Sequence, residues 1–124
     1  MINKDINDQN GLNSIWTDSL ARNQHPDGAA LLAHLRTVHQ HHAGFTETCA
    51  SSCRDEAGRN SYEWLAEIVP DIDGIRVLDL ACGSGPLLKI LYDRNKNLQL
   101  KGVDMCPEEL ALAKARLPEN AVDL

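Results

Sequence analysis

The chain starts polar. Residues 1–13 carry Asn3, Asp5, Asn7, Asp8, Asn10 and Asn13 and almost no apolar spacing, which predicts an unstructured start. Apolar residues then recur at helical intervals. Ile15, Trp16, Leu20 and Ala21 predict a short amphipathic helix over 14–23. His25-Pro26-Asp27-Gly28 breaks it, because proline disfavours helix at His25 and Asp27 can cap the next helix. Leu31, Leu32, Leu35 and Val38 lie along one side of that second helix, over 29–42, with Gly44 as its stop. Residues 44–59 lose the pattern among Thr46, Thr48, Ser51, Ser52 and Gly58 and read as loop or broken helix. Asn60 followed three residues later by Glu63 is a capping pattern for a helix over 61–69 carrying Tyr62, Leu65, Ile68 and Val69. The run from Pro70 to Gly74 ends it.

From residue 75 the period changes. Ile75, Val77, Leu78 and Leu80 have the composition of a buried strand. The small residues Ala81-Cys82-Gly83-Ser84-Gly85 come next, and then Leu87, Leu88, Ile90 and Leu91 at helical spacing. Residues 99–103 predict a second strand ending at Asp104, and 107–117 a second helix with Pro107 in its first turn and acids behind it. Ala121 to Leu124 looks like the opening of a third strand. Strand, tight turn and helix in succession predict an α/β fold and the entry half of a nucleotide-binding βαβ unit. Gly83 and Gly85 allow a sharp turn and a close approach of backbone to ligand.

The turn discriminates among ligands. A dinucleotide fingerprint needs a third glycine three residues after Gly85, where Leu88 stands. The pattern D-x-G-x-G-x-G fits better, with Asp79 at the strand end and Ala81 in place of the first glycine. Asp79-Leu80-Ala81-Cys82-Gly83-Ser84-Gly85 resembles the first motif of the class I S-adenosylmethionine-dependent methyltransferases, and Asp104, twenty-five residues after Asp79, resembles their second-strand acid. The resemblance covers residues 60–124, the N-terminal part of that family's domain. It implies an α/β fold in which N-terminal helices (1–60) precede the first half of a Rossmann-like methyltransferase sheet (61–124), truncated relative to seven strands. It implies S-adenosylmethionine as cofactor, held by Asp79, Ala81, Cys82, Gly83, Ser84, Gly85, Asp104 and Met105. In that family Asp104 would accept bonds from ribose hydroxyls, Asp79 would lie near the methionine amino group, and Cys82 and Ser84 would contribute main chain. Helices before the sheet often cap the cofactor or build the acceptor pocket. Residues reading adenine and acceptor come after later strands, so the resemblance implies a piece of a longer protein that is inactive alone. The acceptor and the catalytic residues stay unassigned.

Composition adds limits. The 124 residues are 43% apolar with a net charge of −6, which argues against nucleic acid as the main partner. No apolar run approaches a membrane span, and the N-terminus has no signal-peptide pattern. Four scattered cysteines suit a reducing, cytoplasmic compartment. No histidine neighbours Cys82 in the motif, so it is not read as a nucleophile. His34, His39, His41, His42, Cys49 and Cys53 match no zinc spacing, and no metal is expected. Trp16, Phe45, Tyr62 and Trp64 read as core or interface. A first strand lacking its further neighbour would expose an apolar edge, so a homodimer through that edge or by segment exchange is expected. The alternative function is a non-catalytic, self-associating Rossmann-like interaction module.

Overall fold

The computed structural model of the chain describes residues 14–124. They fall into two compact units divided between Ala43 and Gly44. In the first, helices α1 (Ile15–Ala21) and α2 (Gly28–His41) lie within the expected spans, α2 beginning at its expected cap Asp27. Ser14 and Thr17 form a capping box, and the Asp27 side chain accepts the Ala30 N–H at 2.8 Å. His34 ties the two helices together: its ring stacks on Trp16 at 5.3 Å, and its Nδ1 lies 3.0 Å from the Ser14 hydroxyl.

The second unit holds α3 (Phe45–Ser52), α4 (Ser61–Ile68), β1 (Arg76–Leu80), α5 (Pro86–Arg94), β2 (Gln99–Val103), α6 (Pro107–Arg116) and β3 (Val122–Asp123). The strands form a parallel sheet in the order β1-β2-β3. Arg76 pairs with Gln99 and Leu80 with Val103, while Leu100 pairs with Val122. This is the α/β architecture expected from the sequence: helices followed by a small parallel three-stranded sheet of Rossmann-like kind. Leu88 and Leu91 of α5, Ala66 of α4, Leu100 of β2 and Leu117 after α6 form the core over one face of the sheet. Gly102 permits that packing. A Cβ there would stand 2.7 Å from both Leu88 and Leu124 and 2.9 Å from the Cys82 sulfur. Polar ties close the opposite end of the strands. Asn95 donates to Asp71 at 2.8 Å and Asn97 to Asp73 at 3.0 Å, joining the turn before β1 to the turn before β2. Arg94 donates to the carbonyls of Ala66 and Val69, two of those left open at the end of α4.

Two expectations need correction. β1 is not a buried strand: Leu78 is 56% and Leu80 71% exposed. Among the described residues β1 is an edge strand, and its alternate residues Arg76, Leu78 and Leu80 are exposed. Residues 44–59 are not patternless, because α3 occupies their first half. Gly44 is the left-handed N-cap of α3 (φ 78°) rather than only a stop for α2. The hydroxyls of Thr48 and Ser52 bond to local carbonyls, and this conceals the helix in a Thr/Ser-rich sequence. Of the aromatics read as core or interface, Phe45 and Trp64 lie about half exposed.

Candidate functional site

The two sequence motifs meet at the carboxyl ends of β1 and β2. Parallel pairing sets Leu80 beside Val103, so the residues after them emerge side by side. The Cys82 N–H extends the ladder to the Val103 carbonyl at 3.0 Å, and the Gly85 N–H then turns back to the Cys82 carbonyl at 3.0 Å. This tight course needs left-handed backbone at Ala81 (φ 59°), Gly83 (φ 53°) and Gly85 (φ 77°). Gly85 also has a packing reason to be glycine, since a Cβ would press to 3.2 Å from that of Ala113. Ala81 holds the same conformation against the steric cost an L-residue meets there.

Asp104 joins the halves. Its Oδ2 accepts the Gly83 N–H at 2.8 Å and its Oδ1 the Cys106 N–H at 2.8 Å. A carboxylate has about four lone-pair sites, so both oxygens retain capacity for further donors. Asp79 is half-buried beside it. Burial first, and then the Asp104 charge, push its carboxyl above the usual carboxylate range. No donor from the described residues reaches it. Two neighbouring acids with spare acceptor capacity form a negative corner suited to hydroxyl donors and to a cation. Met105 comes next with 48% exposure, an apolar surface beside that corner.

Cys82 is 4% exposed. Burial, with the charges of Asp79 and Asp104, pushes its thiol up to about 11, so it stays protonated and a poor nucleophile. The buried Ser84 uses its hydroxyl internally, donating to Glu47 Oε2 of α3 at 2.7 Å. The same oxygen accepts from Arg116 at 2.7 Å, and this contact first, aided by Ser84, holds the Glu47 carboxyl below its ordinary value against the opposing effect of burial. Glu109, 2% exposed, accepts the Gly44 N–H at 2.9 Å. Nothing in the neighbouring sequence singles out Glu47, Glu109 or Arg116. Their partners lie 37 to 69 residues away, and Glu109 reads locally as an ordinary first-turn acid.

Of the histidines and cysteines considered for metal, His34 stacks on Trp16, and Cys49 and Cys53 are exposed free thiols. Among the described residues no three His, Cys, Asp or Glu side chains gather into a set that could hold a metal ion. A concavity of about 990 Å³ is lined by Arg76, Asn97, Gln99 and Glu119 at the amino ends of the strands. Ligands of open α/β sheets bind beyond the carboxyl ends, so the motif end is the better candidate.

A short parallel sheet whose first strand ends in a glycine-rich turn, with an acid closing the second, belongs to the Rossmann-like class of α/β folds. Comparison with known proteins is consistent with that class. Residues 59–116 match the family of methionine biosynthesis protein MetW. A trans-aconitate 2-methyltransferase of Variovorax paradoxus (strain S110) is 37% identical over 70 residues, which are 56% of this chain and 27% of that protein. An uncharacterized phycocyanin operon protein W of Pseudanabaena tenuis (strain PCC 7409) is 36% identical over 56 residues, 45% of this chain and 53% of the relative. The matches thus span about a quarter and a half of these relatives. No solved structure matches. Together these findings make the C-terminal half of the chain similar to methyltransferase-like proteins.

Proposed function

We propose that residues 61–124 are the cofactor-binding beginning of an S-adenosylmethionine-dependent methyltransferase, with residues 1–60 as the helical segment before it. The observation that carries this reading is the Asp104 carboxylate, held between the glycine-rich turn and the start of α6 at the carboxyl ends of adjacent parallel strands. The cofactor, when bound, supplies a methyl group already activated by its sulfonium. The protein's part is to hold and orient it. Gly83 and Gly85 admit it because they lack side chains, and their own amides are spent on the turn. Asp104 accepts from ribose hydroxyls through its remaining lone pairs. Asp79, raised by burial and by Asp104, is relieved by the cationic methionine end. Ala81, Cys82, Ser84 and Met105 complete the contact surface, Cys82 and Ser84 through main chain. Three strands build one wall of such a site, so this chain alone is read as inactive in methyl transfer, with its acceptor and catalytic residues unassigned. The four free cysteines support a reducing, cytoplasmic location; no helix among the described residues is long and apolar enough to cross a membrane.

Calorimetry tests the reading. S-adenosylmethionine and its demethylated product bind and a nicotinamide dinucleotide does not. Asp104→Ala weakens binding about tenfold or more, as expected for loss of charge-assisted hydrogen bonds at roughly 1.5–3 kcal/mol each. No binding by the wild-type chain overturns the assignment, and unchanged affinity in the variant removes Asp104 from the site.

A second reading, a self-associating interaction module, is favoured by the unpaired edge of β1 and the exposure of Leu78 and Leu80.

A further inference from the structure

Helix α3 is held to the glycine-rich turn in an unusual way. It has no buried residue, so apolar packing contributes little to its position. Its attachments are polar and converge on two acids. The Glu47 carboxylate accepts from Ser84 inside the turn and from Arg116 at the end of α6, each at 2.7 Å. The Gly44 N–H, which opens the helix, donates to buried Glu109 near the start of α6 at 2.9 Å. Glu109 itself lies close to the turn, its Oε2 3.8 Å from where a Cβ on Gly83 would stand. The Glu47–Arg116 pair is about 28% exposed on either side, shielded enough for the charge-assisted bonds to count. Ser84 is 2% exposed, and its hydroxyl is oriented by an acceptor from another element.

We propose that Glu47 is a positioning residue for the glycine-rich turn, and that α3 with Arg116 forms a polar clasp that sets how rigidly residues 83–85 are held. The proposal rests on the preceding reading only in taking that turn as the ligand-contacting element. A clasp of hydrogen bonds without apolar burial opens at lower cost than the core behind it, so the turn's rigidity tracks the clasp and not global stability.

Amide hydrogen exchange on the unliganded chain is the first measurement. The Gly83 and Gly85 amides are hydrogen-bonded, so their exchange reports opening of the turn. Glu47→Gln, which keeps size but loses the charge, speeds both amides about tenfold while core amides such as those of Leu88 and Leu91 hold their rates. Unchanged exchange at Gly83 and Gly85, or equal acceleration throughout, overturns the clasp, whatever the ligand. The second measurement is affinity for the demethylated cofactor by calorimetry. Glu47→Ala and Ser84→Ala each weaken it severalfold, and the double variant is no weaker than the worse single one, because the two act through one bond. Additive losses overturn the coupling. Failure of the wild-type chain to bind refutes the cofactor reading and leaves the exchange result to judge the clasp. Should Glu47→Ala not fold, the Glu47→Gln and Ser84→Ala pair serves in the same cycle.

Discussion

At the scale of single residues, Ala81 and Cys82 are the most informative. Ala81 occupies a left-handed conformation (φ 59°) where the related motif has glycine. An L-residue there costs roughly 1–2 kcal/mol, and a glycine would return part of that gain as unfolded-chain entropy, so Ala81→Gly is expected to stabilise the chain by about 0.5–1 kcal/mol. Urea unfolding checks this, and a lower midpoint for the variant would show that the Ala81 methyl makes packing worth more than its strain. Cys82 makes the opposite kind of claim. With its thiol pushed up to about 11 inside a buried turn, it remains neutral in mildly alkaline solution. Cys106, 2% exposed, is likewise raised by burial, whereas Cys49 and Cys53 are exposed. Alkylation of the native protein should therefore modify Cys49 and Cys53 and spare Cys82 and Cys106 until denaturant is added. Early labelling at Cys82, seen by peptide mass mapping, would mean that the turn is open.

At the scale of elements, the features legible in the sequence are the local ones. The caps at Asp27 and Asn60 and the strand–turn–helix order after residue 75 are written in neighbouring residues, and the structure matches them closely. The pairing of Asp104 with Gly83 comes from order and spacing, because consecutive parallel strands bring their carboxyl ends together. The features that escape a sequence reading depend on distance. Helix α3 is set by a left-handed glycine cap and by acids and an arginine whose partners lie far along the chain. The exposure of β1 depends on which strands stand beside it; its composition alone reads as buried, and the open edge follows only from the resembled topology. Gly102 belongs to the same group: it sits inside a strand with no turn to explain it, and its reason is the meeting of Leu88, Leu124 and Cys82. Leu88 is fully buried and cannot swing aside, so Gly102→Ala is expected to cost roughly 1–3 kcal/mol by overpacking. Loss of less than about 0.5 kcal/mol in urea unfolding would show that the sheet can spread there.

At the scale of the whole molecule, the open side of β1 is the feature behind the proposed self-association. Its backbone edge is unpaired among the described residues, and Leu78, Leu80 and Val103 present exposed apolar surface. A two-fold partner that extends the sheet or exchanges a segment would satisfy both needs. Sedimentation at several concentrations is expected to show a dimer that dissociates on dilution, and a compact monomer throughout would refute self-association. Asp104 carries a different consequence at this scale. The carboxylate proposed for the ribose is also a staple between two loops, so on that proposal the site is shaped during folding and a guest finds it already formed. Such a doubly employed residue leaves evolution little latitude. Affinity at this corner cannot drift independently of the fold, while the surfaces around it remain free to diversify.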